Sequence, residues 1–298
     1  MIFLNKTLAF TKLLFWLRLF KYFCAVNFNK ILSTETFNPD NFWQTRLSKV
    51  KGLEGVGYAK LGKAFNIWAY KVRRFAFLQI LFPVAQEIPK SDVLDIGSGT
   101  GFYIDIWSRL GAQKITGLDI TPIAVENLKN TFPESTFYQV DIGGNIDSIR
   151  SQLDQKDFIS AMDVLFHIVD DQRFEQAVIN ISSLLKKGGY FVYSDNFVQA
   201  GTIRTKHQVS HSKEYLFQLF DKAGLEVVSH KPFMILSNYP VDSKNKLLHT
   251  YWYFIENTTA LIKPLGHLYG ALLYPIEKRL IKKMKDSPSS EIVLLRKK

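Results

Sequence analysis

Apolar residues fall in three regimes along the chain. Between residues 92 and 235, short apolar runs alternate with stretches of helical period. Asp92 to Ile96 is such a run, and it ends in three alternate glycines, Gly97, Gly99 and Gly101. A helix is expected from Phe102 to Leu110, stopped by Gly111. Lys114 to Asp119 reads as the next strand, and Thr121-Pro122 as a capped helix start. Phe137 to Asp141 and Phe158 to Met162 are expected strands, with a helix over Asp171 to Leu185. Lys186 to Gly189 reads as a turn and Tyr190 to Ser194 as a fifth strand. A helix from Lys213 to Ala223 follows Ser212 and stops at Gly224, and Leu225 to Ser229 opens a sixth strand. Such alternation implies an α/β fold, a parallel sheet covered by helices on both faces.

The flanks follow other rules. Residues 1–26 are apolar and aromatic, but Lys6, Lys12, Arg18 and Lys21 break the run and point all round a helix. That reads as a weakly specified N-terminal helix, poorly suited to spanning, to lying in an interface or to a signal peptide, with three readings open: packing on the body, touching membrane, or a translated extension of little consequence. Residues 33–63 read as loop, with Asn38-Pro39 as a turn. A helix is expected from Ala64 to Gln86, with Phe65, Trp68, Phe75 and Phe82 near helical spacing. Residues 240–285 read as a helical insertion interrupted by Pro264 and Pro275, and Glu291 to Leu295 as a last strand. Three parts result: a helical N-terminal extension over 1–85, a core over 86–235, and a helical insertion with final strand over 236–298.

Composition sharpens this. A hydrophobic content of 47% over 298 residues is that of a globular chain. The one cysteine, Cys24, forms no internal disulfide and suits a reducing, cytoplasmic setting. With no C-x-x-C or H-E-x-x-H pattern, no metal site is expected. The net charge of +11 is concentrated at the ends: residues 1–30 hold five Lys/Arg and no acid, and residues 277–298 hold eight against three acids. Two readings stand, solubilising tails or contact with an anionic surface such as phospholipid or an acidic substrate.

The chemistry starts at Asp95-Ile-Gly-Ser-Gly-Thr-Gly101. A strand running through glycines into a helix brings bare main chain and unpaired N–H groups to a ligand. Dinucleotide loops read G-x-G-x-x-G, and the place of their third glycine is held here by Phe102. Asp119 ends the second expected strand, 18 residues after Gly101, where an acid accepts ribose hydroxyls in this class of site.

Asp95 to Gly101 resembles the first motif of the class I S-adenosylmethionine (SAM) dependent methyltransferases, and the likeness extends over about residues 85–235. The resemblance implies a seven-stranded Rossmann-like sheet whose last strand is antiparallel. It implies SAM as cofactor, held by Asp95, Gly97, Ser98, Gly99 and Gly101. Asp119 would take the ribose, with Ile120 on the adenine; Asp141 would take the adenine amino group, with Ile142 beside it. Met162 and Asp163 fall in the family's fourth motif, Ala161 to His167, and flank the methionine end. Leu184-Leu-Lys-Lys-Gly-Gly189 matches a family turn, in the family's order. By the same resemblance the segments before the first motif and before the last strand form lids, so that Trp43, Tyr58, Trp68 and Tyr70 line an acceptor pocket. The reaction implied is methyl transfer to a small-molecule, sugar or lipid-linked acceptor, most simply at oxygen. His167, His207 and His211 are the candidate bases, with Asp195 to orient a base or bind the acceptor. No N-P-P-Y-type motif follows strand four, so a nucleic-acid partner is not expected. Two alternatives remain: a nicotinamide-dependent Rossmann oxidoreductase, against which Phe102, Asp141 and the antiparallel last strand weigh, and a SAM-binding module without catalysis.

Overall fold

The computed structural model describes residues 37–50 and 52–298. The sequence-based reading of residues 1–30 and of Cys24 lies outside them. The first described helix, α1 (Pro39–Lys49), begins where a turn was expected. Asn38 is its cap, accepting from the Asn41 N–H at 3.1 Å, and Pro39 sits at the first position, where its missing N–H costs nothing. The pair that reads as a turn is therefore a helix start. A single turn, α2 (Leu53–Val56), leads to α3 (Gly62–Leu81). Phe65, Ala69, Val72, Ala76, Phe77 and Ile80 make the buried stripe of α3, and Pro83 closes it into a 3₁₀ turn earlier than the apolar pattern suggests.

The alternating core then runs β1 (Asp92–Ile96), α4 (Phe102–Arg109), β2 (Lys114–Asp119), α5 (Pro122–Thr131), β3 (Thr136–Gln139), α6 (Asp147–Leu153), β4 (Lys156–Met162), α7 (Asp171–Leu184) and β5 (Leu185–Asp195). A short hairpin, β6 (Ile203–Arg204) with β7 (Val209–Ser210), precedes α8 (Lys213–Lys222) and β8 (Leu225–Met234). Two long helices, α9 (Lys246–Leu261) and α10 (Leu265–Lys283), occupy the expected insertion, and β9 (Ser290–Lys297) ends the chain. Pro275 lies inside α10 without ending it. Asp141 lies two residues beyond β3, not at its end. The expected turn at Lys186–Gly189 is a bulge within β5, where the register to β4 shifts between Lys156 and Phe158 and Gly188 adopts φ 79°.

The seven strands lie in the order β3-β2-β1-β4-β5-β9-β8. The first five are parallel, and β9 inserts antiparallel between β5 and β8. This is the expected α/β sheet with an antiparallel last strand. Helices α3 and α4 with α9 and α10 cover one face, and α7 with α8 cover the other. From β1 the chain turns outward to β2 and β3, then returns across β1 to β4. That reversal opens a crevice at the carboxyl ends of β1 and β4.

Candidate functional site

The glycine loop borders this crevice. The N–H groups of Gly97 and Ser98 donate to the Leu118 carbonyl at 2.7 and 3.0 Å, which ties the loop to β2. Gly101 has φ 81°, and a Cβ there would lie 2.2 Å from the Phe132 ring. Gly97, at φ 69°, is pressed by Val164, and Gly99, at φ 51°, by Val56 of α2. Each glycine thus lets a covering side chain approach the main chain.

Three aspartates stand along the crevice. Asp95 is buried; Trp107 Nε1 donates to Ser160 Oγ at 3.0 Å, and that hydroxyl donates to Asp95 Oδ1 at 2.6 Å. Burial pushes the Asp95 carboxyl up to about 7, against the pull of these hydroxyls. Asp119 at the end of β2 accepts the Gly99 N–H at 2.9 Å on one oxygen and the Thr121 N–H and hydroxyl on the other. Burial raises its pKa too. Asp141 accepts the Gly143 N–H at 3.0 Å and is ion-paired with Arg173. Ile120 is half-buried beside Asp119, while Ile142 and Met162 are packed into the core.

The segment after β4 is strained. Asp163 sits at φ 57°, a conformation seldom taken without glycine. Its N–H donates to Ser194 Oγ at 2.8 Å, and its carboxylate accepts Arg73 Nε at 2.8 Å and the Ser194 hydroxyl at 3.0 Å. Arg73 is buried, with its guanidinium against the rings of Tyr70 and Tyr58. Burial opposes its charge, but Asp163 and the tyrosines hold it firmly cationic. The same burial raises the phenols, Tyr70 to about 12 and Tyr58 further. Tyr58 is clamped to α3, since its N–H donates to Asn66 Oδ1 and its carbonyl accepts from Asn66 Nδ2.

His167 follows in a 3₁₀ turn. Its Nδ1 lies 2.9 Å from the His207 carbonyl, which accepts only, so Nδ1 carries the hydrogen and Nε2 keeps its lone pair. Burial lowers its pKa to about 4. Trp43 meets its ring edge-on at 4.9 Å, and the His207 ring stacks at 6.3 Å. Arg46 of α1 lies over Trp43.

The structure thus gathers Trp43, His167 and His207 into one aromatic cluster, and sets Tyr58 and Tyr70 against the guanidinium of Arg73. It does not bring Trp68 there; that ring packs outward on Tyr274, and Lys71 lies over it at 3.8 Å. His211 is buried between the rings of Phe174 and Tyr215 and close to Asp171. Asp195 takes the Tyr193 hydroxyl and the Asn196 N–H, and burial raises it to about 7. Among the described residues no histidine bonds to Asp195. The residues that sequence reasoning missed are Arg73, Arg46 and Ser194. Arg73 had a readable signal: it falls within the apolar stripe of α3, where an unpaired cation would be costly. One His–Asp–Glu group lies elsewhere. His230, Asp286 and Glu291 come within 4.8 Å of one another, and Lys213 Nζ sits 2.9 Å from Glu291, supplying the positive charge.

Known proteins bear on this geometry. Residues 93–189 match a family model described as a methyltransferase domain. A ribosomal protein L11 methyltransferase of Staphylococcus saprophyticus is 28% identical over 141 residues, covering 46% of this chain and 38% of the relative. The Staphylococcus aureus enzyme of that name is 24% identical over 147 residues, 48% of this chain and 40% of the relative. The chain therefore spans well under half the length of these relatives. Among solved structures, a putative sarcosine dimethylglycine methyltransferase from Galdieria sulphuraria superposes with a TM-score of 0.52 at 16% identity, over 76% of this chain and 85% of the other. A magnesium protoporphyrin IX methyltransferase from Synechocystis with bound SAM gives 0.50 at 14%, over 88% and 93%. These likenesses concern the fold.

Proposed function

We propose that this chain, which carries a methyltransferase domain of the class I SAM-dependent fold, transfers a methyl group from SAM to an oxygen of a small-molecule or lipid-linked acceptor. The observation that supports it most is the crevice itself. A glycine loop and a carboxylate at the end of β2 stand at the strand reversal, and an aromatic cluster with a neutral imidazole follows β4.

The residues present fit SAM. Thr100 Oγ1, Tyr103 Oη and Arg73 Nη1 are buried polar atoms without a partner among the described residues, and Thr100 belongs to the glycine loop. Arg73 would hold the carboxylate of the amino-acid end, Asp119 the ribose hydroxyls, and Asp141 the adenine amino group with Ile120 and Ile142 nearby. Bound SAM supplies a methyl carbon already activated on sulfur. That methyl would pass to an acceptor oxygen, the electron pair of the carbon–sulfur bond staying with sulfur. The chain's part is alignment and exclusion of water.

The acceptor proton narrows the choice of acceptor. His167 Nε2 keeps a lone pair, yet a group with pKa about 4 is a weak base. The Tyr70 phenol, raised to about 12, stays protonated near neutral pH, and the Tyr193 hydroxyl is committed to Asp195. Such a site suits an oxygen that gives up its proton readily, a phenol, an enol or a carboxylic acid, over a plain sugar hydroxyl. Arg46, with a buried unpartnered Nε, would attract the resulting anion. The single cysteine is compatible with a cytoplasmic setting, and among the described residues no helix is long and apolar enough to cross a membrane.

The test is calorimetric titration with S-adenosylhomocysteine, with NAD and NADP in parallel. Binding of S-adenosylhomocysteine alone is expected. Binding of a nicotinamide cofactor alone would overturn the reading.

A further inference from the structure

Helices α9 and α10 turn apolar residues toward solvent. The packed face of α10 carries Gly266, Gly270, Glu277 and Ile281. A Cβ on Gly266 would lie 2.6 Å from the Phe65 nitrogen, and one on Gly270 would lie 2.2 Å from Trp68, so α10 is pressed closely onto α3. Its outer face carries Leu268, Leu272 and Ile276, all exposed. At four-residue spacing these three form one stripe on the helix surface. Helix α9 adds Leu247, Phe254 and Leu261, and the turn between the helices adds Ile262; Leu261 is 84% exposed. Nine of the fifteen exposed large hydrophobics among the described residues lie between Leu247 and Met284. Scattered exposed leucines need no explanation, but a concentration of this kind on two joined helices marks a contact surface.

Charge says what covers it. Lys246 opens α9, Lys263 lies in the turn, Arg279, Lys282 and Lys283 close α10, and Lys285 follows it. From residue 246 to 285 the acids are Glu256 and Glu277. Glu277 is buried, and Glu256 is paired with Lys60 at 3.1 Å. A second copy of the chain would set this basic rim against itself, because a two-fold contact repeats one patch on both sides. The rim matches an anionic surface, and the leucines match an apolar one beneath it.

We propose that the outer face of α9 and α10 is a peripheral docking surface for an anionic phospholipid bilayer, with the helices lying in the headgroup layer. Trp252 on the inner side of α9 packs 6.0 Å from the Tyr58 ring, and Tyr58 borders the guanidinium of Arg73. Through Trp252 and Tyr58 the docking helices thus reach the guanidinium of Arg73. The docking surface stands without the methyl-transfer reading; the lipid-linked acceptor that gives it a purpose rests on that reading.

The test is co-sedimentation of the full chain with phosphatidylcholine vesicles and with vesicles containing phosphatidylglycerol, at low and high salt. The wild type is expected to sediment with the anionic vesicles, and less so as salt rises. The variant Leu268→Glu/Leu272→Glu/Ile276→Glu is expected to lose binding at least tenfold. The variant Arg279→Gln/Lys282→Gln/Lys283→Gln is expected to lose about tenfold or more, together with most of the salt dependence. Both should bind S-adenosylhomocysteine as the wild type does, which reports an intact fold. Unchanged sedimentation of the glutamate variant overturns the proposal, because another surface then holds the lipid. So does absence of wild-type binding, or a dimer in solution that the glutamate variant dissolves. Loss of S-adenosylhomocysteine binding in the wild type would strike the proposed reaction and leave the docking surface untouched.

Discussion

His167 is held in one tautomer by the main chain, and this decides what it does. With Nδ1 donating to the His207 carbonyl, Nε2 is left unprotonated, and a pKa of about 4 keeps it so well below neutral pH. His167→Ala is expected to keep S-adenosylhomocysteine affinity while turnover falls only about tenfold, because a weak base adds little for an acceptor that gives up its proton readily. In the wild type the acid limb of the rate profile should lie below the usual histidine range. An acid limb near 6.5 that survives in His167→Ala would assign it to another group. Asp119 makes a simpler case. Asp119→Ala removes a carboxylate that also braces Gly99 and Thr121, and S-adenosylhomocysteine affinity should fall about 10–100-fold, the effect of one lost charged hydrogen bond. Asp95 and Asp195 act on stability. Each has a folded pKa of about 7, above the ordinary value near 4, so the folded state binds the proton more tightly. Their contribution is full below about pH 4 and is lost as pH rises towards 7. His167 works in the opposite sense, losing stability as pH falls from 6.5 towards 4. The melting temperature of Asp95→Asn, which keeps an oxygen for Ser160, should therefore decline less between pH 5 and 8 than that of the wild type. Parallel declines would remove Asp95 as a source.

Elements show where the sequence was legible. The bounds of β1 and β2 were readable because each is an apolar run between turn residues, and the α5 cap because Thr121-Pro122 is a local signal. The start of α1 at Asn38 was equally local, but Asn-Pro serves both turns and caps, and the residues beyond it decide which. Interactions between distant residues left little trace. Arg73 meets Asp163 across 90 positions. Glu277 meets the N–H groups of Ile235, Leu236 and Ser237, at 2.6 Å for Ser237, across 40 or more positions. Glu277 is buried, and its carboxylate holds the end of β8 against α10. Glu277→Ala would orphan these donors, and a loss of about 2–4 kcal/mol is expected, read as a lower denaturation midpoint. Glu277→Gln should recover part of it, because the amide oxygen still accepts. A change within about 0.5 kcal/mol would mean that water replaces the carboxylate.

At the scale of the whole molecule, the glycine loop is covered from outside the alternating core. Val56 of α2 presses on Gly99, and Gln44 of α1 lies 3.5 Å from the Ile123 N–H. Trp43 of the same helix closes on His167, and Asn66 of α3 pins Tyr58. These segments carry few apolar contacts of their own: Leu47 is the one buried side chain of α1, and Gly55 the one buried residue of α2. Segments so lightly anchored open at lower free energy than the sheet beneath them. A ligand seated between cover and loop adds contacts to the cover that the free protein lacks. Hydrogen exchange should therefore slow most between residues 39 and 58 when S-adenosylhomocysteine is added, and little in α10, whose anchor is Glu277 and α3. The same addition should slow exchange at Gly99, whose N–H is already held by Asp119. Slowing at Gly99 without slowing over 39–58 would mean that the ligand binds beneath an uncoupled cover. In that case the aromatic cluster around Trp43 would belong to the acceptor alone.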